Sequence, residues 1–238
     1  MALPKLNSGN YIYEMVVPST KKKVKYRPFL VKEQKSLLIA FESQDPRQIF
    51  NAMIGNLEAC VENIHTKDLA TFDVDYMFTQ IRSKSVGETA KVIQKCTECG
   101  HDNDVEIDLS KIKVDLNLVK DTKIKLTDEI TIVMKFPTYQ DFQNNNVIFS
   151  EDSTVTEVLF ESILMCLDSV QTPDENIKIS DESREEIETF INQLTNQQLE
   201  KLTEFVQSLP TLTHNVEYVC ESCNKENKVE LKGFQDFF

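Results

Sequence analysis

Two matching segments, one in the middle of the sequence and one near its end, constrain this chain more than any other feature. Residues 92–109 read VIQKCTECGHDNDVEIDL, and residues 216–231 read VEYVCESCNKENKVEL. Each carries a Cys-x-x-Cys: Cys96 with Cys99, and Cys220 with Cys223. Aligned without a gap, Val92 falls on Val216, Asn103 on Asn227, Val105 on Val229, Glu106 on Glu230 and Ile107 on Leu231. The match therefore extends past the cysteines into the strands that flank them. A Cys-x-x-Cys at the tip of a β-hairpin aims two thiolates at one point. Two such tips supply the four sulfurs that a structural Zn²⁺ prefers, and leave no open position for catalysis. The expectation is one zinc shared by Cys96, Cys99, Cys220 and Cys223. The alternatives are disulfides within or between the pairs, or four free thiols. A redox Cys-x-x-Cys opens a helix in a βαβ setting, whereas these pairs sit between alternating strands. His101 and His214 lie near the cysteines. Either is a candidate substitute ligand, but an exposed turn histidine is the simpler reading.

The remaining cysteines, Cys60 and Cys166, lie in apolar helical stretches and read as small core residues. The 238-residue chain is long enough for a substantial core, and its 40% hydrophobic and 27% charged content is ordinary for a globular protein. No apolar run approaches the roughly 20 residues of a membrane span, and MALPKLNSGNY lacks the apolar region of a signal peptide. The expected compartment is the cytosol, where reduced cysteine pairs favour metal. A net charge of −13 argues against nucleic-acid or anionic-membrane partners. One local exception is the basic cluster Lys21, Lys22, Lys23, Lys25 and Arg27. It reads as a solvated hairpin turn, or as a contact for an acidic protein partner.

Along the chain, residues 11–17 and 23–27 predict a β-hairpin stopped by Pro28. Residues 31–44 predict a helix with an apolar stripe through Leu37, Leu38 and Phe41. Asp45-Pro46 predicts the start of a second helix, facing Ile49, Phe50, Met53, Ile54, Leu57, Val61 and Ile64 inward. A third begins at Asp73 with Val74, Met77, Phe78 and Ile81, and ends towards Gly87. The second half reads as a restart. It has a hairpin over 122–136 turning near Thr127, a short helix over 139–144 and a helix over 153–169 that includes Leu167. There follow a short strand over 176–179, a helix capped by Ser180 or Asp181 and a helix over 196–208. Each half thus reads hairpin, helices, knuckle. The expected fold is α+β: a helical core with small antiparallel β-hairpins and two zinc-ribbon-like knuckles, with internal duplication as one reading. The halves are expected to divide into residues 1–115 and 116–238, joined by the shared zinc.

No phosphate-binding glycine loop, nucleophile elbow or His-Glu-x-x-His is present. The acidic segment 174–188 reads as a solvated helix start rather than an acid–base pair. The expectation is a protein that is not an enzyme.

LPKLN at 3–7, KYRPFLVKEQK at 25–35 and RSKSVGE at 82–88 resemble the T4-type phage baseplate hub protein family, as do the two Cys-x-x-Cys pairs. The resemblance is sharpest in the first 110 residues; over 138–210 nothing particular matches. It implies a non-enzymatic protein of a contractile-tailed bacteriophage whose partners are other tail or baseplate proteins, working in the host cytoplasm during assembly or in the virion tail. Two roles fit: a chaperone or assembly factor that binds hub or tape-measure components and leaves, or a hub subunit retained in the virion. The net negative charge, the helices and the metal-braced scaffold lean towards the first. A zinc-ribbon adaptor for nucleic acid is a third reading. It is opposed by the acidity and by knuckles without interleaved basic and aromatic residues.

Overall fold

The structure is a computed structural model and describes residues 10–116, 121–150 and 152–237. The phrase at 3–7 lies outside the described residues. The chain divides into two units: residues 1–115 with 211–238, and residues 116–210.

The first unit opens with the expected hairpin, β1 (Tyr13–Val16) and β2 (Lys23–Tyr26). Helix α1 (Val31–Ser43) follows, and its predicted stripe splits. Leu37 is buried, while Leu38 and Phe41 remain 56% and 42% exposed. Helix α2 (Pro46–Cys60) starts as the sequence indicates. The Asp45 side chain accepts from the N–H of Arg47 and Gln48, with Pro46 in the first turn. Its inward face, Met53, Ile54 and Leu57, is buried. Helix α3 (Thr71–Ser85) begins two residues before the expected Asp73 and buries Val74, Met77, Phe78 and Ile81. Asp73 is fully buried and is not the cap. Its carboxylate accepts the backbone N–H and the hydroxyl of Ser19, tying α3 to the first hairpin.

Strands β3 (Thr89–Lys95) and β4 (Asp102–Asp108) form the first knuckle hairpin, and the short β5 (Lys113–Val114) follows.

The second unit opens with β6 (Lys123–Lys125) and β7 (Thr131–Met134), turning at Thr127, whose hydroxyl accepts from the Ile130 N–H. Then come α4 (Tyr139–Gln143) and α5 (Val155–Cys166). The expected continuation of α5 to 169 is corrected: β8 (Leu167–Gln171) begins at once, because Ile132 and Val133 of β7 pair with Val170 and Ser169. Long-range pairing overrides a helical apolar spacing here. Strand β9 (Asn176–Lys178) completes an antiparallel sheet of order β6-β7-β8-β9. Helix α6 (Arg184–Asn192) is capped by Ser183, not by Ser180 or Asp181, which lie in a 3-10 turn. A capping box with Glu186 fixes that start. Helix α7 (Asn196–Gln207) closes the unit. Ile132, Met134, Ile163, Cys166, Leu167, Val170, Ile191, Leu202 and Phe205 form its core.

Strands β10 (Leu212–Val219) and β11 (Glu226–Lys232) are the second knuckle hairpin. They return to the first unit, and β10 pairs antiparallel with β5 through Leu212–Val114 and Thr213–Lys113. The expected division into 1–115 and 116–238 therefore differs from the structure, in which 211–238 fold with the N-terminal residues. Val105, Ile107, Leu109 and Ile112 pack with Leu212, Val216, Leu231 and Phe237 in one apolar cluster, and this burial recruits the second hairpin. The likeness between the halves lies in the knuckles. The four-stranded sheet of the second unit has no counterpart among the described residues of the first. The whole is α+β, with seven α-helices and small antiparallel sheets among the described residues.

Candidate metal centre

Each knuckle is a tight turn that holds its own backbone. The Cys96 N–H donates to the His101 carbonyl and the Gly100 N–H to the Cys96 carbonyl, at 2.9 and 3.0 Å. The second knuckle repeats this with Cys220 to Lys225 and Asn224 to Cys220, both at 2.9 Å. The turn needs a left-handed residue after its second cysteine. Gly100 takes φ +71° and its equivalent Asn224 takes φ +59°.

The turns bring the four sulfurs of Cys96, Cys99, Cys220 and Cys223 within 4.8 Å of one another. Across the knuckles, Cys96 Sγ lies 3.6 Å from Cys223 Sγ, and Cys99 Sγ lies 3.6 Å from Cys220 Sγ. A tetrahedron with metal–sulfur bonds of about 2.3 Å has edges of about 3.8 Å, so four sulfurs within 4.8 Å of one another are close enough to share one ion. All six cysteines of the chain are free thiols, not disulfides. Cys96 and Cys220 are buried; Cys99 and Cys223 are exposed.

Backbone donors prepare the sulfurs for charge. The N–H of Cys99, opposed by burial and helped by the N–H of Glu98, brings the Cys96 thiol down to about 6. Cys220 is also lowered: burial opposes, but the N–H groups of Cys223 and Ser222 and the Cys99 thiol prevail. Cys223 gains from the Lys225 N–H, yet the crowding of Cys99, burial and the other two sulfurs push it up to about 12. Four adjacent sulfurs resist becoming thiolates together unless a cation neutralises them, which is the chemistry of a closed four-thiolate metal site.

The other sequence candidates separate cleanly. Neither histidine joins the sulfur cluster: His101 is exposed at the first knuckle, and His214 is half-buried within β10, not in a turn. Cys60 and Cys166 are fully buried core thiols, pushed up to about 11 and 12, first by that burial. Lys21, Lys22, Lys23 and Lys25 are exposed on the first hairpin. Arg27 is not part of that basic surface. It is 6% exposed, and its guanidinium donates to Glu33 at 2.9 Å, to the Ala59 carbonyl at 2.8 Å and to the Pro28 carbonyl at 3.0 Å. The alternation of β2 turns Lys23 and Lys25 outward and Tyr26 inward, and Arg27 follows Tyr26 into the unit. In the sequence, Asn103 and Asn227 stand out only as aligned positions of the two segments. Both are 2% exposed and sit between the knuckles. Their identical places in the two segments were the available signal.

Among the described residues, no helix is long and apolar enough to cross a membrane. Searches of curated proteins and of solved structures each gave no match. A family model described as T4 bacteriophage base plate protein matches residues 10–238, nearly the whole chain. The chain belongs to the T4 bacteriophage base plate protein family.

Proposed function

We propose that this chain is a non-enzymatic assembly factor for the baseplate hub of a contractile-tailed phage. It works in the host cytoplasm, binds hub or tape-measure components, and leaves when assembly is complete. The observation that carries this reading is the run Lys21, Lys22, Lys23 and Lys25, exposed on one hairpin of a chain whose net charge is −13. Such a patch favours a reversible, charge-steered contact with an acidic protein surface. The resident ion is Zn²⁺, held by Cys96, Cys99, Cys220 and Cys223, and its role is to brace the first unit. Bound there, it supplies folding free energy and no open coordination position. The second reading is a subunit retained in the virion, favoured by the family's description as a base plate protein.

Two measurements decide. Native mass spectrometry with and without chelator is expected to show one zinc per chain; no metal in the untreated protein removes the brace. Quantitative mass spectrometry of purified virions is expected to find the chain absent or far below hub stoichiometry. Stoichiometric retention would overturn the departing factor in favour of the structural subunit.

A further inference from the structure

Asn103 and Asn227 make the same bonds in opposite directions. The Oδ1 of Asn103 accepts the N–H of Glu221, the residue after Cys220, at 2.9 Å. The Oδ1 of Asn227 accepts the N–H of Thr97, the residue after Cys96, at 3.0 Å. Each amide group then donates back to its own knuckle two residues upstream: Asn103 Nδ2 to the His101 carbonyl at 2.8 Å, and Asn227 Nδ2 to the Lys225 carbonyl at 2.9 Å. An amide side chain carries both a donor and an acceptor, so one asparagine can face its own turn and the opposite turn at once. Alanine can do neither, and aspartate keeps only the acceptor.

We propose that Asn103 and Asn227 are reciprocal positioning residues that lock the two knuckles in register and preset the four sulfurs for one metal ion. The proposal rests on the metal reading above. Both residues are buried, so each cross-knuckle bond is made away from competing water. Both bonds end on the residue following a cysteine, so they fix the backbone that aims Cys96 and Cys220. The pair is unequal in one respect. Asn227 Nδ2 also lies 3.7 Å from Cys96 Sγ, and its Oδ1 accepts from the Thr97 hydroxyl at 2.9 Å. Asn103 has no such bond to a sulfur. It donates instead to the Gln94 carbonyl at 3.2 Å. Asn227 therefore acts on the register and directly on one ligand's charge, whereas Asn103 acts on the register alone.

The test uses the full chain, titrated with Zn²⁺ against a chromophoric chelator and with Co²⁺ followed by its absorption bands. The variants are Asn103→Ala, Asn227→Ala, Asn103→Asp and Asn227→Asp, with Asn215→Ala on the exposed face of β10 as control. Each alanine variant is expected to bind Zn²⁺ about 10–100-fold more weakly. Asn227→Asp is expected to bind more weakly than Asn103→Asp and to shift the cobalt–thiolate charge-transfer band, because it removes the amide beside Cys96 and adds an anion there. The control is expected to match the unaltered protein. Alanine variants that remain folded and bind within twofold of the unaltered protein, with unchanged cobalt bands, would overturn the positioning role while leaving the metal site standing. Should an alanine variant fail to fold, the aspartate pair decides, and equal affinities at the two positions overturn the assigned asymmetry. Failure of the unaltered chain to take up either metal would overturn the metal reading itself, and the positioning role with it.

Discussion

Among the described residues of the unit 116–210, each α-helix begins on a hydroxyl residue that is paired with its own third helical residue. The pairs are Thr138 with Asp141, Thr154 with Glu157, Ser183 with Glu186 and Thr195 with Gln198. The other unit uses its first-turn acids differently. Helices α1 and α3 start after Leu30 and Ala70, whose side chains accept nothing. Glu33 reaches back to the Leu30 N–H but also to Arg27, and Asp73 reaches to Ser19, 54 residues away. The same residue type closes a local loop in one unit and a long-range tie in the other. Its longest ties join the two knuckles: Asn227 accepts from Thr97, 130 residues away, and the paired sulfurs lie 121 and 127 residues apart. The helix starts of the second unit are fixed within four-residue windows, as is that of α2 by Asp45, whereas the knuckles of the first unit meet across 118 to 131 residues, so the two units should respond to different perturbations.

The largest separation should come from the cysteines. Cys96→Ser or Cys220→Ser is expected to cost several kcal/mol, because structural metal contributes its binding free energy to folding. Hydrogen exchange read peptide by peptide should show the loss over 10–115 and 211–237, with 121–210 protected as before. Equal loss in both units would abolish the contrast.

Next is the buried pair. Arg27→Met should cost about 3–5 kcal/mol in denaturant melts, since Glu33 is left buried without its partner. Adding Glu33→Leu should recover much of it. Burial opposes ionisation of Glu33, yet the Arg27 guanidinium and the Leu30 N–H hold its carboxyl below the usual range. The folded value is depressed, so the contribution is present above the unfolded carboxylate value of about 4.3 and is lost as pH falls through the folded value. Acid titration of the double variant should lack that loss.

A smaller effect sharpens the comparison from the other side. Thr195→Ala removes the cap of α7 and should cost about 1 kcal/mol. The loss should fall within 121–210 and be the same with and without chelator.

The smallest effect on folding belongs to the lysines. Replacing Lys21, Lys22 and Lys23 with glutamate should shift the melt by less than about 0.5 kcal/mol while weakening capture of hub components in a low-salt pull-down. Undiminished capture would reduce the basic hairpin to a solvated turn.

This contrast also explains what the sequence discloses. The candidate metal-binding cysteines are legible because four cysteines at fixed spacing have few other uses, and Asp45-Pro46 is legible because a cap acts on its immediate neighbours. The strand at Leu167–Gln171 is not, since its state comes from β7 while its apolar spacing continues that of α5. Ser183 is not singled out over Ser180 and Asp181 by the sequence, because all three lie within four residues and offer the same local chemistry. Arg27 reads as basic surface until Glu33 and Ala59 are placed around it. Nor does a gapless alignment of two knuckles reveal that the second one leaves its own half to join the first.

The pairing of β5 with β10 sets the ends of residues 116–210 side by side, which gives the molecule an order in time. A ribosome delivers Cys96 and Cys99 first and Cys220 only 121 residues after Cys99. At roughly 5–20 residues per second, that interval is about 6–24 s. Through it the first knuckle offers two sulfurs and an apolar strand face without the second hairpin that packs on it, while residues 116–210 are being made. Closure of the site therefore marks the moment when the whole span from 96 to 223 has been made, and a chain cut short within 116–210 would carry a half-site that cannot close.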